Sequence, residues 1–162
     1  MIGRWPSLKR PVFCNMMLSK NFSLQEMTIS QTAARRGLNN QPGQAELNNL
    51  KMLCNEVLQP LRDFVGKPVK ITSGYRGPAV NRAVGGSTTS AHMYGLAADI
   101  WIPGLTVREV MHKIHGLQLP YDQLIDEFGS WVHVGLSTGT NRKQALIART
   151  LNGRTNYSAL SL

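Results

Sequence analysis

The stretch from Ser90 to Asp99 constrains this chain more than any other, because it spaces two metal-binding side chains around a run of small residues. Its pattern is Ser-x-His-x-x-Gly-x-Ala-x-Asp, with His92 and Asp99 as the candidate ligands. The glycine and alanines let the backbone turn tightly without filling the space that an ion needs. A catalytic zinc takes three ligands of this kind, imidazole nitrogens or carboxylate oxygens, and keeps a fourth position open.

A third candidate ligand, His133, lies in a predicted strand near the end of the chain. Alternation along this strand gives it an apolar face, formed by Val132, Val134 and Leu136. His133 shares the other face with Trp131 and Gly135, and the glycine leaves room for a ligand to approach the backbone. We therefore predict that His92, Asp99 and His133 bind one divalent ion.

These motifs resemble those of the zinc peptidases that act on bacterial cell-wall peptides. The similar stretches are Ser73-Gly74-Tyr75-Arg76, Ser90 to Asp99 and Trp131-Val132-His133. That family includes the D-Ala-D-Ala carboxypeptidases and the phage endolysins that cleave L-Ala-D-Glu bonds, and its core fold is shared with hedgehog signalling domains. The resemblance implies a Zn²⁺ cofactor, a peptidoglycan peptide as substrate, and a single catalytic domain over residues 21–162 after an N-terminal extension, residues 1–20.

The resemblance also implies a catalytic base outside the metal ligands. In related enzymes an acid precedes the second histidine ligand by three or six residues. The three-residue position here holds Ser130, which cannot serve, and the six-residue position holds Glu127, which we predict to be the base. Asp126 remains an alternative, because a two-residue turn would pair it with His133, whereas a one-residue bulge would turn Glu127 to the metal instead. A third acid, Asp122, is expected to brace the start of its strand.

Two further residues are predicted to bind substrate. The planar guanidinium of Arg76 can hold a carboxylate or carbonyl oxygen through two parallel hydrogen bonds, and its motif precedes the histidine loop as in the similar peptidases. Ser90, two positions before His92, resembles a family serine near the substrate. His112 and His115 are three residues apart and could mimic a metal pair, but we interpret them as solvated residues of a helix end.

The order of predicted elements indicates an α+β domain, with an antiparallel sheet and helices packed on one side. Ser23 is expected to start the first helix, and Thr106 to cap a helix over residues 107–115. The clearest helix covers residues 44–64, with Pro60 inside its pattern. Its apolar face consists of Leu47, Leu50, Cys54, Val57, Leu58, Leu61 and Phe64. Predicted strands cover residues 69–73, 97–102, 123–128, 131–136, 143–151 and 154–159.

Charge and composition favour an anionic partner outside the membrane interior. The chain has 162 residues and a formal net charge of +9, which indicates attraction to cell-wall polymer. It has no apolar run of about 18 residues and no familiar nucleic-acid motif, so neither membrane insertion nor nucleic-acid binding is predicted. Cys54 is expected to be a buried free thiol, and Cys14 lies in the unpatterned extension.

We predict a monomeric enzyme that is made in the bacterial cytoplasm without a signal peptide and acts on the cell wall after release, as a phage or prophage endolysin would. The choice between carboxypeptidase and endopeptidase stays open. The alternative function is a non-catalytic cell-wall or virion binding module that keeps the metallopeptidase fold. The serine at the three-residue position keeps this alternative open.

Overall fold

The computed structural model of this protein describes residues 16–162. Cys14 and most of the predicted N-terminal extension lie outside this part of the chain. The last residues of that extension lie within it and pack against the domain, since Leu18 is buried in the core and Met17 pairs with Ser23 through an isolated β-bridge. Within residues 16–162, no helix is both long enough and apolar enough to span a membrane.

The first helix begins where the sequence predicts, and a second short helix follows that the sequence analysis did not predict. Helix α1 covers Leu24–Thr28, and the Ser23 side chain caps it by accepting from the amide of Glu26. Helix α2 covers Gln31–Arg36 and ends at Gly37, whose positive φ of 60° closes the helix. Helix α1 carries Leu24 and Met27 into the core, and α2 buries Ala33.

The long predicted helix forms in three consecutive pieces. Helix α3 covers Gln44–Leu53, a π-helical turn covers Cys54–Leu58, and α4 covers Gln59–Val65. Pro60 is the second residue after the π turn, where its missing N–H and its ring prevent the regular α-helical hydrogen bonding from continuing. Cys54 is a buried free cysteine, as predicted.

Phe64 does not belong to the buried face. Its side chain is 59% exposed, so its assignment to the apolar face was wrong. The π turn holds one residue more than an α turn, so it rotates α4 relative to the face set by α3. The ring lies instead at the surface, 5.7 Å from the Lys113 ammonium.

In the described part of the chain, six strands form one sheet. They are β1 Lys70–Ser73, β2 Ala97–Trp101, β3 Gln123–Glu127, β4 Trp131–Gly135, β5 Gln144–Leu151 and β6 Arg154–Ala159. The spatial order is β1-β2-β4-β3-β5-β6, with β6 at the edge opposite β1. Between β1 and β2 lie the short helix α5, Pro78–Ala83, and a 3₁₀ turn, Ala91–Tyr94.

The predicted α+β class is confirmed, but the sheet is mixed. Strand β5 runs parallel to β3, whereas all other neighbouring strands are antiparallel. The segment after β4 returns along the sheet and places β5 on the free side of β3. Sequence periodicity identifies a strand without giving its direction, so the predicted antiparallel sheet is right for four of the five strand pairs and wrong for β3 with β5.

The two faces of the sheet have different roles. One face packs with the helices into the hydrophobic core, and its members include Ile100, Leu124, Val132 and Val134. Helix α6, Val107–Gly116, also packs here, and Thr106 and Glu109 form a complete capping box at its start. The alternate positions of the same strands lie on the opposite face, which carries the candidate site.

Candidate metal centre and active-site cleft

Three separate elements bring His92, Asp99 and His133 together. His92 lies in the 3₁₀ turn, Asp99 in the middle of β2, and His133 in the middle of β4. Asp99 and His133 are direct register partners on neighbouring strands, so their side chains leave the sheet on the same face. The 3₁₀ turn adds His92 from above this pair.

The spacing of the three ligand atoms fits a divalent metal. His92 Nε2 lies 3.2 Å from His133 Nδ1 and 3.3 Å from Asp99 Oδ1, and His133 Nδ1 lies 2.9 Å from Asp99 Oδ1. Ligands about 2.0–2.1 Å from a tetrahedral zinc are about 3.3 Å from one another. Two imidazoles and one carboxylate also match the donor set of a catalytic zinc. The residues present therefore fit the ion that the resemblance implies.

A backbone carbonyl sets the orientation of the His92 ring. His92 Nδ1 donates to the carbonyl of Gly74, at 2.7 Å, which leaves the Nε2 lone pair free for a metal. A Cβ on Gly74 would lie 2.3 Å from the carbonyl oxygen of Met27, so this position needs glycine for close packing against α1. The contact of Gly74 with α1 therefore helps to fix the carbonyl that orients the His92 ring.

Gly135 provides the space for the second imidazole. A Cβ at this position would lie 3.2 Å from Nε2 of His133 and 3.8 Å from Cβ of Ala97. The first distance is tight enough to require a shift of the ring. The open space that the sequence predicts next to His133 is therefore occupied by the imidazole itself.

The electrostatic environment favours metal-binding protonation states. Burial raises the pKa of Asp99, but hydrogen bonds and charge from His133 and His92 outweigh it, so its pKa lies well below the ordinary value. Burial lowers the pKa of His92 despite the opposing effect of Asp99. A carboxylate and a neutral imidazole are the forms that bind a metal.

The three residues line a cleft of about 850 Å³. Arg76, Ser90, Glu127 and Trp131 line the same cleft. One wall comes from the segment around the 3₁₀ turn, and the other extends along the sheet toward β5 and β6. A volume of this size is typical of a binding site for a small molecule or a short peptide.

The turn between β3 and β4 decides which acid lies in the cleft. It contains the three residues 128–130, so Glu127 pairs with Trp131, and Ile125 pairs with His133. Phe128 and Gly129 both have positive φ, 58° and 69°. This register places Glu127 on the face of His133 and Asp126 on the opposite face.

The other two acids form ion pairs. Arg149 binds Asp126 through two contacts of 3.0 Å, Nη1 to Oδ1 and Nη2 to Oδ2, and the amide of Gly129 donates to the same carboxylate. Arg142 binds Asp122 at 2.6 Å, and the Arg142 amide also donates to it. Asp122 therefore braces the loop that returns to β5, close to its predicted role.

Glu127 is half-buried and carries a raised pKa. Burial has the largest effect, and the negative charges of Asp99 and Asp126 add to it, while His133 and Arg76 oppose it. A carboxylate with a raised pKa takes up a proton more readily, as a general base must.

Arg76 lies at the cleft with unused hydrogen-bonding capacity. Its Nε is buried and has no hydrogen-bond partner among residues 16–162. The ion pairs found in that part of the chain do not include Arg76. Burial lowers the pKa of Arg76, and the nearby charges of Asp99 and Glu127 oppose this effect only in part. A buried, unpartnered guanidinium donor beside a cleft indicates a place for an anionic or carbonyl oxygen.

Of the other residues considered in the sequence analysis, Ser90 lies at the cleft, and His112 and His115 lie away from it. Ser90 is the residue before the 3₁₀ turn and lines the cleft. His115 pairs with the Tyr121 hydroxyl at 2.8 Å, and His112 is exposed on α6. Neither belongs to the metal-ligand cluster found in the described part of the chain.

Sequence reasoning missed two contributors to this site. Gly74 acts through its carbonyl oxygen, so no side chain identifies its role. The only available signal was the presence of a glycine within the Ser73-Gly74-Tyr75-Arg76 motif. Tyr157 of β6 lines the cleft, but its position depends on the pairing of four strands. No local pattern indicates such an arrangement.

Comparison with known proteins identifies a family and a curated relative that this chain resembles. The family model described as Peptidase M15 matches residues 20–135. The zinc D-Ala-D-Ala carboxypeptidase of Streptomyces albus G is 46% identical over 44 residues, which are 26% of this chain and 17% of that protein. The match therefore spans less than a fifth of this curated relative. Because the family model covers most of the chain, including all three candidate ligands, the chain belongs to the peptidase M15 family.

Proposed function

We propose that this protein is a zinc-dependent peptidase that hydrolyses an amide bond in the stem peptide or crosslink of peptidoglycan. The observation that carries the proposal is the convergence of His92, Asp99 and His133 in a cleft that also contains Glu127. Membership of the M15 family and the name of the Streptomyces relative support both the metal and the substrate.

His92, Asp99 and His133 would hold the zinc. Bound zinc would supply a Lewis acid that polarises a carbonyl and lowers the pKa of water. The Gly74 carbonyl fixes the His92 tautomer, and the pairing of β2 with β4 fixes the other two ligands. The protein's contribution is a ligand set that needs little rearrangement on binding.

Glu127 would act as the general base. Its carboxylate would accept a proton from the attacking water and pass it to the leaving amine. The raised pKa supports this role, because the group must both take and release the proton near neutral pH. Its position on β3, next to the strand that carries His133, places it beside the ligand cluster without being one of the three converging ligands.

Arg76 and Ser90 would position the substrate. The guanidinium of Arg76 would donate to a carboxylate or carbonyl oxygen of the peptide, using capacity that the described chain leaves free. Ser90 would donate or accept one further hydrogen bond at the cleft wall. Both residues would bind and orient the peptide without exchanging protons with it.

The finer proposal is a phage-type endolysin, rather than a housekeeping carboxypeptidase. It rests on the resemblance to phage enzymes and on the net charge of +9, which would attract the protein to the anionic cell wall. The identity of the released fragments would distinguish the two, because an endolysin of this type would separate L-Ala from D-Glu and a carboxypeptidase would release a terminal D-Ala.

Ser130, at the position where some relatives carry an acid, favours one alternative: a binding module that keeps the fold and metal without catalysis. The test is digestion of purified peptidoglycan by the zinc-loaded protein, with a chelator-treated sample and Glu127→Gln as controls. Release of peptide fragments by the zinc-loaded protein alone, identified by mass, would support hydrolysis. Binding to the wall without any released fragment would favour the binding module.

A further inference from the structure

A row of register partners crosses four strands on the cleft face. Trp131, Glu127, Ala148 and Tyr157 occupy equivalent positions on β4, β3, β5 and β6. Register partners on neighbouring strands project from the same face of a sheet, so all four side chains share the face of His133. We call these residues the cleft row. Three of them, Trp131, Glu127 and Tyr157, line the cleft.

The cleft row leaves the Tyr157 ring accessible beside the proposed base. Ala148, which lies between Glu127 and Tyr157 in the row, is fully buried and does not line the cleft. Tyr157 is 52% exposed. Burial and then the charges of Glu127 and Asp99 raise its pKa, so its hydroxyl keeps its proton and can donate a hydrogen bond.

Tyr157 and Arg76 lie toward opposite edges of the sheet. Arg76 follows β1, whereas Tyr157 is on β6, and the metal ligands and Glu127 lie on strands between them. With strands about 4.8 Å apart, the four intervals from β2 to β6 separate the backbones of Asp99 and Tyr157 by about 19 Å along the sheet, and both side chains line the cleft between them. An extended dipeptide measures about 7 Å. The cleft thus crosses these strands from the side of Arg76 to the side of Tyr157, which suits an extended peptide better than a terminal dipeptide.

We propose that Tyr157 is a substrate-binding residue that holds the part of an extended peptide beyond Glu127, through its hydroxyl and the face of its ring. The inference rests on the proposed function and deepens it, because it specifies an extended peptide, longer than a terminal dipeptide, as the substrate class. Tyr157 lies beyond residues 20–135, the part of the chain that the family model matches. The contact is therefore a property of this chain's C-terminal hairpin.

The test measures peptide binding apart from hydrolysis. In the zinc-loaded Glu127→Gln background, calorimetry gives the Kd of a stem pentapeptide and of D-Ala-D-Ala for the Tyr157, Tyr157→Phe and Tyr157→Ala forms. Ser158→Ala, on the same strand but on the opposite face, is the matched control. We expect Tyr157→Ala to raise the pentapeptide Kd about tenfold and Tyr157→Phe about threefold, with the dipeptide Kd and the control unchanged.

An unchanged pentapeptide Kd in both Tyr157 variants would overturn the inference. Equal losses for the two peptides, or a similar loss in Ser158→Ala, would also overturn it by indicating a general effect on the hairpin. Because Tyr157→Phe removes one oxygen, it tests the hydroxyl even if the alanine variant misfolds. Hydrolysis of peptidoglycan by the wild-type chain is assayed separately, so an inactive protein with Tyr157-dependent binding would refute the proposed reaction and leave the inference intact.

Discussion

Asp126 and Glu127 are adjacent on β3, yet their carboxylates lie on opposite faces of the sheet and have different environments. Asp126 is buried against Arg149 in a two-contact ion pair, while Glu127 lines the cleft that contains the metal-ligand cluster. The three-residue turn after β3 creates this difference by setting the register with β4. Mutation of Glu127 should therefore affect mainly activity, and mutation of Asp126 mainly the free energy of unfolding.

Glu127→Gln should lower kcat by about 10²–10⁴-fold, because an amide cannot take up the proton. Its zinc content should equal that of the wild type. The raised pKa of Glu127 shows that the fold disfavours its charged form, so the neutral amide should not lower the melting temperature. Peptide hydrolysis, metal analysis and thermal unfolding test these three points, and retained hydrolysis would exclude Glu127 as the base.

Asp126→Asn should lower the free energy of unfolding by about 1–2 kcal/mol at neutral pH, the lower part of the range for charge-assisted hydrogen bonds because Arg149 is partly exposed. Burial raises the pKa of Asp126, but the hydrogen bonds from Arg149 and Gly129 outweigh this effect and bring the pKa below the ordinary value of 3.8. The stabilisation should therefore be complete above pH 3.8 and disappear as the pH falls through the lower folded-state pKa. Urea unfolding at several pH values measures it, and a difference that grew in acid would contradict the assignment.

Gly135→Ala should weaken zinc binding by about tenfold, because the new Cβ would lie 3.2 Å from the His133 ring and displace a ligand. Gly139→Ala is the matched control, since its Cβ would meet its nearest neighbour, the Ser137 hydroxyl, at 3.9 Å. Competition with a chromophoric chelator gives both affinities. Equal affinity in the two variants would mean that the ring adjusts without cost.

Arg76→Lys should lower kcat/KM by about tenfold or more, because an ammonium cannot reproduce the two parallel hydrogen bonds of the guanidinium. Arg82→Lys, an exposed change on α5, should have no effect and controls for the loss of an arginine. The measurement is peptide hydrolysis at several substrate concentrations. Full activity in Arg76→Lys would show that position 76 contributes charge alone.

Zinc should raise the melting temperature, because it binds the folded ligand set and the separated ligands of the unfolded chain bind it weakly. At a free zinc concentration 100 times the Kd, the expected gain is about 2.7 kcal/mol. A chelator should reverse the gain, and Asp99→Asn should reduce it because the carboxylate ligand becomes a neutral amide. Thermal scans with and without zinc measure the shift, and an identical shift in Asp99→Asn would place the ion elsewhere.

The local features of this protein could be predicted from the sequence because neighbouring residues determine them. Ser23 and Thr106 start their helices through their own side chains, and the predicted strand around His133 places its valines in the core. The candidate ligands were recognisable because a histidine, small residues and a carboxylate occur at short, fixed spacing. The peptidase M15 family follows from the same motifs.

Only the tertiary structure could decide the features that depend on long-range pairing or on register. Phe128 adopts a positive φ, which a residue with a bulky side chain rarely does, so the three-residue turn that places Glu127 in the cleft had no local signal. The parallel pairing of β5 with β3, which brings Tyr157 into line with Glu127, joins strands that are far apart in the chain. Residue spacing indicates which side chains share a face of a strand. Which strands lie beside it, and in which direction they run, depends on how the whole sheet packs.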